Sequence, residues 1–461
     1  MGELVRYNYI ILFMVTIVII AVFVLLSFLI KNKIHDRISR LLIFVYVIYW
    51  CLSLLVTRLN FMNFYAVHDD TYWILLAHVI TFVCGYLLIR PAYRPTSFLT
   101  SKGNVASVNI SIVINNWFFR VVFFISLFFI LFLVLKAREL LLVYTFSDLK
   151  DEFIELVLED SGLLSLIYNF LIWPMFHFSL AILSYLLFFD LRWKYVSILF
   201  LFIVCYSILT GGRNQFMTIG YYIFSMWILS TYISSRNKGY YSKYVFSTKL
   251  KFVFFIGILF LISSMTIISI FRAHEEKVNK ELFTNALHDL GDRFVTYSSG
   301  PIVAFDISMH SNTFFKKKYY GMATFSGTFR YLGIFTKHLG VKANLDEANN
   351  ETAKELQENK IFISSDHNWN YAYTSCVYYY YDFGLFGVLI IPFLLGLITR
   401  RLICMVYKKY SIFIISLFLF ICFCMYMSVF SGILHKIQTV FYIIFLLILS
   451  NLYSEKKVKK I

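Results

Sequence analysis

Eleven stretches of this chain carry essentially no acidic or basic side chain. They are Tyr9–Ile30, Leu41–Val56, Tyr72–Ile89, Phe118–Leu135, Leu163–Phe189, Tyr195–Leu209, Phe216–Ile233, Phe252–Phe271, Val377–Ile398, Ile412–Phe430 and Ile437–Leu452. A helix rises about 1.5 Å per residue, so roughly 20 apolar residues cover the roughly 30 Å hydrocarbon core of a bilayer. The expected fold is therefore an all-α polytopic membrane protein of about 11 transmembrane helices. One large loop, residues 272–371, interrupts the series between the eighth and ninth spans.

The composition agrees. Charged residues make up 15% of the chain, against about 25% in soluble domains. Spans consume most of the 461 residues, so residues 1–461 read as a single integral membrane domain. Of the seven cysteines, Cys51, Cys84, Cys205, Cys404, Cys422 and Cys424 lie in or beside spans, and Cys376 stands at a span entrance. No C-x-x-C and no metal-ligand spacing occurs, so no metal and no cofactor is expected. The first span is too long, and too poor in small residues at its end, for a cleaved signal peptide.

The surplus of +16 reads as a topology signal rather than a nucleic-acid footprint, because short loops rich in Lys and Arg stay in the cytoplasm. With the loop after the first span inside, the inner loops and tail hold 23 basic residues and the short outer segments only seven. The N-terminus is then outside and the C-terminus inside, and residues 272–371 are extracytoplasmic.

Two outer segments stand out. Lys136–Gly162 is acidic, and its Phe153, Leu156 and Val157 have helical spacing, which predicts a short amphipathic helix along the membrane surface or, more plainly, a solvated connector helix. Residues 272–371 are too many for a structureless connection, so this loop should carry structure and function. Glu275–Asp289 and Ala343–Asn359 read as amphipathic helices. Between them Tyr297–Met309 is apolar with a Gly-Pro break, the pattern of a segment dipping against the membrane.

Three constellations offer chemistry. In Thr210–Asn214 (TGGRN), Gly211 and Gly212 permit left-handed backbone or close approach of a ligand. Arg213 and Asn214 follow, and Arg213 supplies a planar fork that suits phosphate; a tight turn with a snorkelling arginine is the plainer alternative. Second, Arg272, Arg293 and Arg330, with the lysines at 316–318, concentrate cations in the outer loop and call for an anionic partner or a solvated face. Third, Ser364–Tyr381 is dense in aromatic and hydrogen-bonding groups. Its Asn368, Trp369 and Tyr373, and Asp382 just beyond, suit a sugar or an interfacial aromatic belt. His367 beside Asp366 has the types of a general base. Well inside the spans only the histidines His78 and His177 could take up charge, Arg120 and Asp382 lying near the starts of theirs, which argues against ion-coupled transport. No P-loop, GxSxG, HExxH or zinc spacing is present.

TGGRN after an apolar span, SGPIVAFD at 299–306, and NYAYTS and YYYYDFGLFG running into a span resemble the oligosaccharide repeat-unit polymerase (O-antigen polymerase, Wzy) family. The likeness covers roughly residues 207–396 and the span pattern, and it is weak before residue 200. The paired R-x10-G signatures of some relatives are absent. The resemblance implies a multi-pass, metal-independent glycosyltransferase of the bacterial inner membrane with an extracytoplasmic active site. It would join undecaprenyl-pyrophosphate-linked oligosaccharide units into O-antigen or capsule, in the company of a flippase and a chain-length regulator. Arginines in two outer loops characterise relatives, a role that falls here to Arg213 and Arg272, with Arg293 and Arg330 on the same side. Two alternatives are a polyprenyl-linked oligosaccharide flippase and an O-antigen ligase-like membrane glycosyltransferase.

The charge bias generates a direct test. Single cysteines at Asn312 and Asn344, in a background lacking the native seven, are expected to react with a membrane-impermeant maleimide in intact spheroplasts. Labelling only after lysis would put the long loop inside and overturn the orientation.

Overall fold

The computed structural model describes residues 34–89, 113–140, 163–189, 191–209, 213–236, 280–311, 314–315, 317–338, 361–365, 367–369, 373–408 and 411–458. Its helices are α1 (Ile34–Leu59), α2 (Asp69–Leu88), α3 (Trp117–Leu140), α4 (Leu163–Ile167), α5 (Trp173–Phe189), α6 (Trp193–Leu209) and α7 (Arg213–Arg236). They continue as α8 (Lys280–His310), α9 (Ser326–His338), α10 (Ser375–Phe383), α11 (Leu385–Lys408), α12 (Ile412–Met427) and α13 (Ile437–Val458). A π-helical turn, Tyr168–Ile172, joins α4 to α5. The two short strands β1 (Ile361–Phe362) and β2 (Asn368–Trp369) pair antiparallel, Ile361 opposite Trp369.

Among the described residues, five helical segments are long and apolar enough to cross a membrane: Leu41–Leu59, Asp69–Leu88, Trp117–Leu135, Ser165–Phe189 and Leu385–Val406. Shorter apolar helices occupy Trp193–Ser207, Met217–Ser230, Ile412–Met427 and Ile437–Leu452. The expected spans Tyr9–Ile30 and Phe252–Phe271, and the amphipathic helices expected at Ala343–Asn359 and within Lys136–Gly162, lie outside the described residues.

Two expectations are corrected. The stretch Val377–Ile398 is not one helix. Gly384, at φ +61°, ends α10 before Leu385 starts α11, because that conformation is open to glycine and costly for other residues. Nor does the Gly-Pro break at 300–301 interrupt the long loop: α8 runs through Pro301 to His310. Pro301 is buried, and the helix is buried continuously from Ser298 to Asp306. At Gly300 a side chain would press on the Trp369 indole, 2.9 Å from its ring atoms. The glycine is what lets β2 lie against α8.

The most extensive helix contact among the described residues joins α2 to α11. Contacts advance together along both helices: His78 reaches Val388 O at 3.3 Å, and Arg400 Nε donates to Ile89 O at 3.3 Å. The two helices are thus parallel and start at the same end. A methyl group on Gly85 would overlap the Phe393 carbonyl, and one on Gly396 the Phe82 carbonyl. Between apolar helices in lipid no hydrophobic gain drives association, so close backbone approach through small residues takes its place. Leu52, Leu88, Phe124, Phe128, Leu394 and Leu447 stay exposed around the bundle, as side chains facing lipid would.

Several buried polar groups in this interior pair with one another. The Tyr168 and Tyr206 hydroxyls meet at 2.6 Å, His177 Nδ1 meets the Tyr222 hydroxyl at 2.9 Å, and Trp50 Nε1 donates to Ser428 Oγ at 3.1 Å.

Gly396→Leu is expected to drive a side chain into the Phe82 backbone and lower stability by about 1–3 kcal/mol, the range for overpacking. Ile398→Leu, at a position that is 47% exposed, should be neutral. Thermal unfolding of the two variants in detergent compares them, and equal melting would refute the close α2–α11 seam.

Candidate functional site

A polar cluster sits where α1 turns into α2 and α8 ends. Between α1 and α2 the chain runs through Asn60 and Asn63, both left-handed at φ 51° and 54°, a conformation asparagine tolerates better than most residues. The Asn60 side chain then clamps Phe64, donating to its carbonyl at 2.8 Å and accepting from its N–H at 2.7 Å. Tyr65 N–H donates to Ile363 O at 2.8 Å, which ties this turn to the β1–β2 segment of the long loop. His68 caps α2 with extended backbone, and Asp69 and Asp70 fill its first turn. Carboxylates belong there, against the positive end of the helix dipole.

Asp306 of α8 is buried at this helix start, with a side chain only 3% exposed. It accepts from the Thr71 hydroxyl and from the His68 N–H at 3.2 Å. Its carboxylate oxygens also lie 3.3 and 3.0 Å from His68 Nδ1. One turn along α8, His310 turns Nδ1 to the Asp306 carbonyl at 3.0 Å and carboxylate at 3.3 Å, and Nε2 to Asp70 Oδ2 at 3.1 Å. The two imidazoles stack, centroids 3.9 Å apart. Burial pulls the His310 pKa down, but the Asp306 carbonyl, the hydrogen bond to Asp70 and the two carboxylate charges outweigh it, so the net shift is upward. Such a group can hold or pass a proton, and His68, Asp306 and His310 present three donor atoms within 4.8 Å of one another.

Cations border the cluster. Arg58 pairs with Asp69 at 2.7 Å and lies over the Tyr72 ring at 5.1 Å. Lys318 donates to Tyr380 O at 3.1 Å and sits 4.5 Å from that ring, and partial burial lowers its pKa. Beyond α12, His435 stacks on Tyr378 with centroids 4.1 Å apart. Burial and the neighbouring Lys436 charge push His435 down to about 3, so it is neutral near pH 7.

The residues singled out from the sequence scatter. His367 is exposed between the short strands. Its ring is 3.4 Å from Ser364 Oγ and 6.0 Å, centroid to centroid, from Phe64, which brings it to the same end as His68. Asn368 is exposed beside it, whereas Trp369 and Tyr373 are buried. Arg330 is exposed on α9. Arg213 and Asn214 open α7, and Arg293 lies on α8. Gly211, Gly212, Arg272 and Asp366 lie outside the described residues. Asp382 is fully buried and its two oxygens accept the N–H groups of Ala323 and Thr324 at 2.9 and 2.7 Å. In this structure that carboxylate holds a loop turn onto α10.

Sequence reasoning missed His68, Asp70, Asp306 and His310. The i, i+4 pair Asp306–His310, on one helix face, was visible next to SGPIVAFD. Its partners stand some 240 residues earlier, a separation no spacing rule covers.

No family model matches this chain, and neither a curated protein nor a solved structure does.

Asp382→Ala is expected to strand two buried N–H groups, at about 1–3 kcal/mol each. Asp382→Asn, which keeps one acceptor oxygen, should cost less. Chemical denaturation in micelles reads the difference. Full stability of the alanine variant would free Asp382 for a role toward ligand.

Proposed function

We propose that this protein polymerises undecaprenyl-pyrophosphate-linked oligosaccharide repeat units into O-antigen or capsular polysaccharide on the extracytoplasmic face of the bacterial inner membrane. One observation carries the reading beyond the motif likeness. The α1–α2 turn and the long loop, which the charge bias assigns separately to the outside, meet at one end of the bundle and assemble the polar cluster there. Several apolar helices long enough to cross a membrane stand below it.

The reaction is glycosyl transfer. A hydroxyl of the incoming unit attacks the anomeric carbon of the growing chain, the bond to pyrophosphate breaks, and the lipid pyrophosphate leaves with the electron pair. The hydroxyl proton passes to a base. His68, His310 and His367 are all exposed imidazoles at this end. His367, next to Asp366 in the sequence, is the one assigned as base. Arg213 and Arg272 grip the donor pyrophosphate, Arg293 and Arg330 add positive potential, and the aromatic segment around Asn368 and Trp369 receives sugar. Fixed cations at developing charge are the largest single source of rate in such chemistry.

Polymer ladders at matched protein levels test the reading. Arg213→Ala and Arg272→Ala are expected to cut polymer formation by about 10²–10³, and lysine should rescue poorly because it loses the bidentate fork. The deletion strain should still export single repeat units. Loss of single units with lipid-linked units accumulating inside would make the protein a flippase. Wild-type ladders in both alanine variants would end the arginine assignment.

A further inference from the structure

We propose that His68, Asp306 and His310 form a binding site for a divalent first-row transition-metal ion, with Asp70 orienting His310 from behind. The proposal stands on geometry and is independent of the polymerase reading.

Metal–nitrogen and metal–oxygen bonds of this class are about 2.0–2.2 Å long. Two ligands on one ion, about 90–110° apart, therefore lie roughly 2.8–3.6 Å from each other. Asp306 Oδ1 is 3.3 Å from His68 Nδ1 and 3.3 Å from His310 Nδ1, and Oδ2 is 3.0 Å from His68 Nδ1. These are the edge lengths of a coordination polyhedron. The two rings are stacked, centroids 3.9 Å apart, so an ion taking the place of the two Nδ1 protons requires the imidazoles to turn until both lone pairs meet it. The three ligand atoms already lie within 4.8 Å of one another.

The surroundings are those of a metal site rather than a chance pairing. Metal-bound histidines usually give their second N–H to a carboxylate, which fixes the ring and strengthens the ligand. His310 Nε2 faces Asp70 Oδ2 at 3.1 Å. The ligating carboxylate is itself held, by the Thr71 hydroxyl and the His68 N–H. The buried Asp306 anchors the set, while the His68 side chain is 59% exposed, so the ion would be reached from solvent and keep open positions on that side. Two imidazoles with one carboxylate favour Zn²⁺, Fe²⁺, Mn²⁺ or Co²⁺ over Mg²⁺ and Ca²⁺, which prefer all-oxygen ligands. The open positions would take water or an anionic oxygen of a phosphate.

The test uses the full chain, purified in detergent without a histidine tag and stripped with chelator. Titrated with Co²⁺ alone, it is expected to bind one ion per chain, with visible d–d bands that Zn²⁺ abolishes. His68→Ala and His310→Ala should lose these bands while keeping the elution volume of the parent. Asp70→Asn should weaken binding by about 10–100-fold. Because Asp306→Asn disturbs the α2 start, the two histidine variants decide. Absence of Co²⁺ bands in the parent, or unchanged bands in both histidine variants, would overturn the site and leave the cluster a hydrogen-bonded one. Neither result bears on the polymer ladders, so the two readings fail separately.

Discussion

Asp306 is the joint on which the functional end of this molecule depends. A carboxylate taken out of water is costly unless hydrogen-bonded and paired, and here every contact it makes belongs to one short segment or to its own helix. Thr71, His68 N–H and the His68 ring come from the start of α2, and His310 from the next turn of α8. The burial of that one charge therefore requires α8 to end where α2 begins. It fixes the long loop to the helix bundle at a defined place and gathers both imidazoles around one carboxylate.

The rest of that end is built outward from the joint by backbone bonds together with apolar packing of Phe64, Ile363 and Trp369. Tyr65 bonds Ile363, Ile363 bonds His367, and Tyr319 N–H donates to Tyr381 O at 3.2 Å. Asp382 repeats the logic of Asp306 by holding the N–H groups of residues 323 and 324. Below, the parallel α2–α11 seam sets the depth of α10 and of these loops, because Gly85 and Gly396 let the two backbones touch. A rigid seam under a hydrogen-bonded cap can hold a site within the tolerance that chemistry demands.

Much of the membrane part was legible in the sequence, for one reason. A medium that forbids unpaired charge marks its residues by composition, and the apolar stretches at Leu41–Val56 and Tyr72–Ile89 needed no partner to be recognised. The break at Gly384 was less legible. It lies inside an apolar run, and the demand for it comes from Asp382 and the loop it holds. The histidine–aspartate cluster was not legible, since its halves are separated by more than half the chain. TGGRN drew the eye because its residues are adjacent. Adjacency along the chain is what motif reading detects, and proximity across a helix end is what folding supplies.

The distribution of charge bears on what the molecule does with it. Among the described residues, His78 and His177 sit in the interior of apolar helices and are occupied by structural partners: Tyr46 at 3.3 Å and Val388 for the first, Tyr222 for the second. The grouped carboxylates, Asp69, Asp70 and Asp306, stand instead at the helix ends with Arg58 and the two stacked imidazoles. A carrier that moves a charged headgroup through the bilayer requires polar groups along the path. An enzyme that meets a lipid-anchored substrate at the surface requires them only at the rim, where a phosphate rests and its lipid stays below. Under the reading proposed above, such a phosphate would rest at the rim where α2 begins and α8 ends, over helices whose two interior histidines are bonded to their neighbours.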